Sequence, residues 1–139
     1  MTGFLLDTNV ISEVSRESPD PRVIRFLTEE GDLWLSSVTV YEMEYGLELL
    51  PYGRRLENLR TVQSDILAAF DDRVLPLDRN AAEWAARFRA RSRQSGRPMD
   101  VGDALIAGIT RANGLTIATR NVGDFESVDL EIVNPWELG

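Results

Sequence analysis

Short apolar runs alternate along this chain with longer stretches in which apolar residues recur three and four positions apart. Phe4-Leu5-Leu6, Leu33-Trp34-Leu35 and Leu115-Thr116-Ile117-Ala118 have the length and composition of buried strands. The pattern predicts strands near 3–6, 33–36, 73–76, 115–118 and 130–133. Helices are predicted near 8–15, 21–30, 38–50, 54–70, 79–94 and 101–113. Strands alternating with helices indicate an α/β fold with a mostly parallel central sheet of about five strands flanked by helices. Gly53, Gly96 and Gly114 fall at expected helix ends or turns, and Pro21 and Pro51 punctuate boundaries. The 139 residues fit one domain with a real hydrophobic core, and no repeat or linker divides positions 1–139.

This pattern gives four acids a special place. Open α/β sheets bind ligands outside the carboxyl ends of their strands. Asp7 ends the first apolar run, just where the chain turns into a helix. Glu42 lies early in the helix after Leu33-Trp34-Leu35-Ser36, and Asp124 follows the strand near 115–118. Asp103 opens a largely apolar helix, where a carboxylate is costly unless paired or metal-bound. Each also has a purely structural role open to it. Asp7 suits a helix cap, Asp103 a macrodipole-favoured helix start, Glu42 a solvated helix face and Asp124 a turn.

Composition narrows the chemistry. The chain has no His, Cys or Lys, and all 15 basic residues are Arg. An imidazole base for a Ser or Cys nucleophile is therefore excluded, as are a P-loop lysine and a Schiff base. Zinc usually takes thiolate and imidazole, whereas carboxylate, amide and water oxygens suit Mg²⁺, Mn²⁺ or Ca²⁺. A hard divalent cation is the natural cofactor. Hydrophobic residues make up 43% and charged residues 27%, without an apolar run of membrane-spanning length. The start is too short and too acidic for a signal peptide, and the absence of Cys suits the cytosol, so a cytoplasmic protein without a membrane partner is expected. The net charge of −8 argues against a simple nucleic-acid coat. It leaves a nuclease open, because metal ions neutralise clustered carboxylates.

Several segments in order resemble one family. These are Leu5-Leu6-Asp7-Thr8-Asn9-Val10-Ile11-Ser12-Glu13, Ser36-Ser37-Val38-Thr39-Val40-Tyr41-Glu42, Gly96-Arg97-Pro98-Met99-Asp100-Val101-Gly102-Asp103-Ala104-Leu105-Ile106-Ala107, Ala118-Thr119-Arg120-Asn121-Val122-Gly123-Asp124-Phe125 and Asn134-Pro135-Trp136. Together they resemble the PIN-domain ribonucleases, most closely the VapC or FitB-like toxins of type II toxin-antitoxin pairs. The resemblance implies a parallel sheet between helices, a Mg²⁺ or Mn²⁺ site, endonucleolytic cleavage of RNA, a small DNA-binding antitoxin and a toxin homodimer. It places the family's first three acids on Asp7, Glu42 and Asp103, with Asp7 and Asp103 as metal ligands. The fourth falls on Asp124 or on Asn121, where many members have an acid.

Arg87, Arg89, Arg91, Arg93 and Arg97 crowd the segment before Asp103 and suit either a phosphate-gripping surface or a solvated helix face. Trp84 with Phe88 is expected in the core. Tyr41 with Tyr45 is expected in the core or at a dimer contact. Two other readings of the acids stay open: a non-catalytic PIN-like protein- or RNA-binding module, and a phosphoryl-transfer protein with an Asp at a strand end. The second usually needs a Lys near the phosphate, which this chain lacks.

Overall fold

The computed structural model describes residues 3–138. In chain order the strands are β1 (Phe4–Leu6), β2 (Leu33–Ser36), β3 (Val74–Leu75), β4 (Thr116–Ala118) and β5 (Ile132–Val133). The helices are α1 (Thr8–Val14), α2 (Pro21–Glu29), α3 (Ser37–Glu48), α4 (Arg54–Ala69), α5 (Arg79–Gln94) and α6 (Val101–Ala112). Every element expected from the periodicity is present, with ends shifted by a residue or two. Two short 3₁₀ turns, Val122–Phe125 and Pro135–Glu137, were not anticipated. Their few residues carry no period to read.

All five strands are parallel, in the order β3-β2-β1-β4-β5. The chain steps outward from β1 to β3, then crosses back to place β4 on the other side of β1. That reversal opens a crevice at the carboxyl ends of β1 and β4, the topological switch point where such sheets take ligands.

Alternate strand residues feed two hydrophobic layers, as a sheet covered on both faces requires. Leu5, Trp34 and Ile117 pack toward a layer that includes Phe88 of α5 and Ile106 and Ile109 of α6. Leu6, Leu35 and Ala118 face the other, with Val10 of α1, Phe26 of α2, Met43 of α3 and Trp136. Phe88 is fully buried and Trp84 packs against the same layer, as expected. Tyr41 and Tyr45 do not join the core: they are 65% and 55% exposed, stacked on one another on the outer face of α3. Four-residue spacing put them on one helix face, but Met43 and Leu47 occupy the inward face instead.

The α5–α6 pair carries Asp103 and depends on a close approach. A Cβ at Gly108 would come within 2.7 Å of the Ala85 backbone nitrogen and still nearer the Ala81 carbonyl oxygen. Gly108, Ala81 and Ala85 thus let the two helices pack backbone to backbone. The connecting turn runs through Gly96, whose φ of +82° favours glycine. Ser92 then fastens the turn: its Oγ accepts from the Met99 N–H at 3.0 Å and donates to the Arg89 carbonyl at 2.8 Å.

Candidate active site

Asp7 stands at the crevice, 5% exposed, with its N–H bonded to the Ala118 carbonyl at 2.9 Å. It caps α1, accepting from the Thr8 N–H at 2.8 Å through Oδ1. Its Oδ2 accepts from Thr119 Oγ1 at 2.8 Å and Asn9 Nδ2 at 3.2 Å. These donors are all neutral. Capping and a site role are therefore compatible in one carboxylate.

Thr8 ties Asp7's strand end to Glu42. Its Oγ1 donates to Glu42 Oε1 at 2.6 Å and lies 3.0 Å from Thr39 Oγ1. With its hydrogen on Glu42, Thr8 accepts from Thr39, which in turn accepts from Ser36 Oγ at 3.3 Å. Ser36 is the N-cap of α3 and receives the Thr39 N–H at 3.0 Å. A chain of hydroxyls thus leads from the end of β2 to Glu42. The other Glu42 oxygen, Oε2, faces Gly102 at the start of α6, where a Cβ would sit 3.2 Å from it.

Asp103 lies in the first turn of α6, but the cap of that helix is Asp100, whose Oδ2 accepts the Gly102 N–H at 3.2 Å. A macrodipole-stabilised acid would be held low. Instead, desolvation and then the charges of Asp7, Asp124, Asp100 and Glu42 push Asp103 up to about 7. Asp7 is also raised, first by burial, partly offset by its bonds from Thr119 and Thr8, with Glu42 and Asp124 adding repulsion. Among the described residues no arginine forms an ion pair with Asp7, Glu42, Asp103 or Asp124.

Asp124 stands in the 3₁₀ turn after β4 and lines a cleft of about 500 Å³ with Asp103, Asp100 and Arg97. Asn121 is exposed and does not line that cleft; its backbone N–H donates to Thr119 Oγ1 at 3.1 Å. The fold therefore brings four carboxylates, Asp7, Glu42, Asp103 and Asp124, within electrostatic reach of one another. Among the described residues, no three acids already stand in a ready-made metal-holding arrangement. Glu42 in particular is turned onto Thr8.

Residue types alone did not single out Thr119, Asn9 or Thr8 as parts of the site. Thr119 follows β4 as Asp7 follows β1, and that shared position was the available signal. Glu13 is a second buried acid, but it lies outside the site. It accepts the Asp20 N–H at 2.7 Å and pairs with Arg16, fastening the segment between α1 and α2. Of the five crowded arginines, Arg97 reaches the cleft, Arg89 and Arg93 line a groove beside it, and Arg87 lies over the Trp84 ring.

An all-parallel α/β domain with carboxylates gathered at its switch point defines the class of acidic-site α/β proteins. The PIN domain model matches residues 4–130, and the chain belongs to that family. It is 37% identical over 137 residues to VapC ribonuclease Y4jK of Sinorhizobium fredii, covering 96% of this chain and 98% of that one. It is also 37% identical over 136 residues to toxin FitB of Neisseria gonorrhoeae, at 96% and 98% coverage. Among solved structures, FitAB bound to an IR36 DNA fragment superposes with a TM-score of 0.90 at 37% identity, covering 98% of this chain and 97% of that one. The fold and family expected from the motifs are thus both observed.

The raised Asp103 makes a test in the metal-free protein. Its folded-state pKa, about 7, exceeds the ordinary 3.8, so the folded chain keeps a proton that the unfolded chain releases. This carboxylate therefore weakens folding as pH rises from about 4 to about 7, and the loss is complete above that window. In EDTA, Asp103→Asn should melt above wild type at about pH 8, and the gap should shrink as pH falls toward 5. Equal melting temperatures at pH 8 would contradict the crowding of charge around Asp103.

Proposed function

We propose that this protein is a metal-dependent endoribonuclease, the toxin of a toxin-antitoxin pair. The observation that carries the reading is the set of four carboxylates at the switch point, none of them paired with an arginine among the described residues. Support also comes from relatives named as a ribonuclease and a toxin. The donor set is all oxygen and strongly negative, which fits Mg²⁺ or Mn²⁺. Asp7 and Asp103 would hold the cation, and Glu42 and Asp124 would complete the site by orienting water or holding a second ion.

Bound there, the cation supplies charge stabilisation on the phosphoryl and leaving oxygens and lowers the pKa of water. The reaction is hydrolysis: a water oxygen joins phosphorus as the ester oxygen departs. Thr119 and Asn9 occupy Oδ2 and fix the plane of the Asp7 carboxylate, and the Thr8 N–H takes one side of Oδ1, so the remaining lone pair on Oδ1 points in one direction. Thr8 does the same for Glu42. Cleavage of total RNA by the purified protein should require Mg²⁺ or Mn²⁺ and stop in EDTA. Asp7→Asn and Asp103→Asn should each lower turnover on the order of a hundredfold or more. Asp124→Asn should slow it far more than Asn121→Ala. Undiminished cleavage in EDTA would refute the metal mechanism and leave a metal-free nuclease, whereas no cleavage with either metal would leave the binding-module reading.

A nuclease of this kind must be silenced in its own cell. An acidic cleft on a chain of net charge −8 favours a basic inhibitory segment, and an arginine of that segment placed among Asp7, Glu42 and Asp103 substitutes for the metal's charge. The antitoxin's inhibition constant should therefore rise with Mg²⁺ concentration. Indifference to Mg²⁺ would place the inhibitor elsewhere.

A second copy of this chain is the other proposed partner. Tyr41, Tyr45, Leu49 and Tyr52 are exposed on or just after α3, and Leu77 and Val101 are also exposed. Tyr41, Tyr45, Leu77 and Val101 line one open groove. Contiguous apolar surface of this kind marks an interface. Sedimentation should show a dimer that Tyr45→Glu converts to monomer. A wild-type monomer at micromolar concentration would reject this partner.

A further inference from the structure

Arg89 and Arg93 stand one helical turn apart on α5 and line an open groove of about 640 Å³ with Ala86, Ala90, Pro98 and Met99. Pro98 and Met99 are also walls of the acidic cleft, so the two hollows adjoin at these residues. Arg97 stands in the cleft itself. None of these three guanidinium groups has an ion pair or hydrogen bond among the described residues, in a chain with 23 acidic side chains. Arg79, at the start of the same helix, is paired with Glu83 at 3.2 Å.

Resting on the nuclease reading above, the geometry points to a phosphate track: Arg89, Arg93 and Arg97 hold the backbone of a single RNA strand leading into the acidic cleft. A chain of net charge −8 repels RNA as a whole, so phosphates reach the carboxylates only where local positive charge draws them. The small Ala86 and Ala90 side chains leave the groove floor open to a phosphate. One helical turn, about 5.4 Å, is close to the separation of successive phosphates on a strand. The junction is pre-formed, because Ser92 holds Met99 against α5. Helix-dipole compensation accounts for last-turn arginines, but Arg89 lies outside the last turn and Arg91 inside it does not line the groove.

Salt dependence of binding reads the track directly. The probe is a short fluorescein-labelled oligouridylate, followed by anisotropy in EDTA so that the strand stays whole. Each phosphate contact to a single strand contributes about 0.7 to the slope of log affinity against log salt. The Arg89→Ala/Arg93→Ala double variant should lose about 1.4 of that slope. Its affinity deficit should widen about sevenfold between about 200 and 50 mM salt. Lysines at both positions should retain the slope, and Arg79→Ala should leave it unchanged. In Mg²⁺, the double alanine variant should raise KM for the same oligomer while kcat stays within about twofold, the signature of lost uniform binding.

The failures separate. If wild type cleaves RNA but the double alanine variant keeps its affinity and slope, the track is wrong and the nuclease reading stands. If binding depends on the two arginines but wild type cleaves nothing with Mg²⁺ or Mn²⁺, the track stands as a binding surface and the nuclease reading falls. A changed sedimentation coefficient with unchanged affinity would assign these arginines to a contact between copies and overturn the proposal.

Discussion

Asp7 is almost wholly removed from water, yet it feels the charges of neighbouring acids, and its hydrogen-bond donors among the described residues are all neutral. Burying a carboxylate without a cationic partner is costly, and neighbouring acids raise the cost. The fold bears this because Asp7 also does structural work, capping α1 and joining the ends of β1 and β4. Much of the local design follows from that one placement. Thr119, Asn9 and Thr8 give the carboxylate and its neighbour Glu42 defined orientations while leaving the net charge of the cluster intact.

The hydroxyl chain from Ser36 through Thr39 and Thr8 shows how orientation is achieved without charge. Each member sits at a strand end or helix start, where backbone direction changes and side chains of different elements meet. An arginine here would pair with the acids and cancel the negative charge of the cluster. The arginines stand outside this inner set, with Arg97 at the cleft and Arg89 and Arg93 beyond it. Neutral donors thus occupy the centre of the cluster and guanidinium groups its surroundings.

Asp103 links this electrostatics to packing. Its position depends on α6 pressing closely against α5 through Gly108, Ala81 and Ala85, and on the turn that Gly96 opens and Ser92 fastens. The helix pair supplies the dispersion and apolar burial that hold Asp103 beside the other acids despite their repulsion. Stability gained in the core is spent at the site, the common pattern where a local rule is broken for function.

Much of the fold was legible in the sequence, because strand and helix periods are local properties of the chain. The alternation of apolar runs and helical stretches located all five strands and six helices, and the absence of His, Cys and Lys confined the candidate chemistry to carboxylates. The positions of Asp7, Glu42, Asp103 and Asp124 near strand ends and helix starts were also readable. Other features depended on contacts between residues far apart in sequence. Only the tertiary structure joined Thr8 to Glu42 and Thr119 to Asp7, turned Asp124 rather than Asn121 into the cleft, and put Tyr41 and Tyr45 outside the core. It also placed Arg87 over the Trp84 ring and Arg89 and Arg93 in the groove. Periodicity says which residues share a face of one helix; which neighbour covers that face is decided by how the helices pack on the sheet.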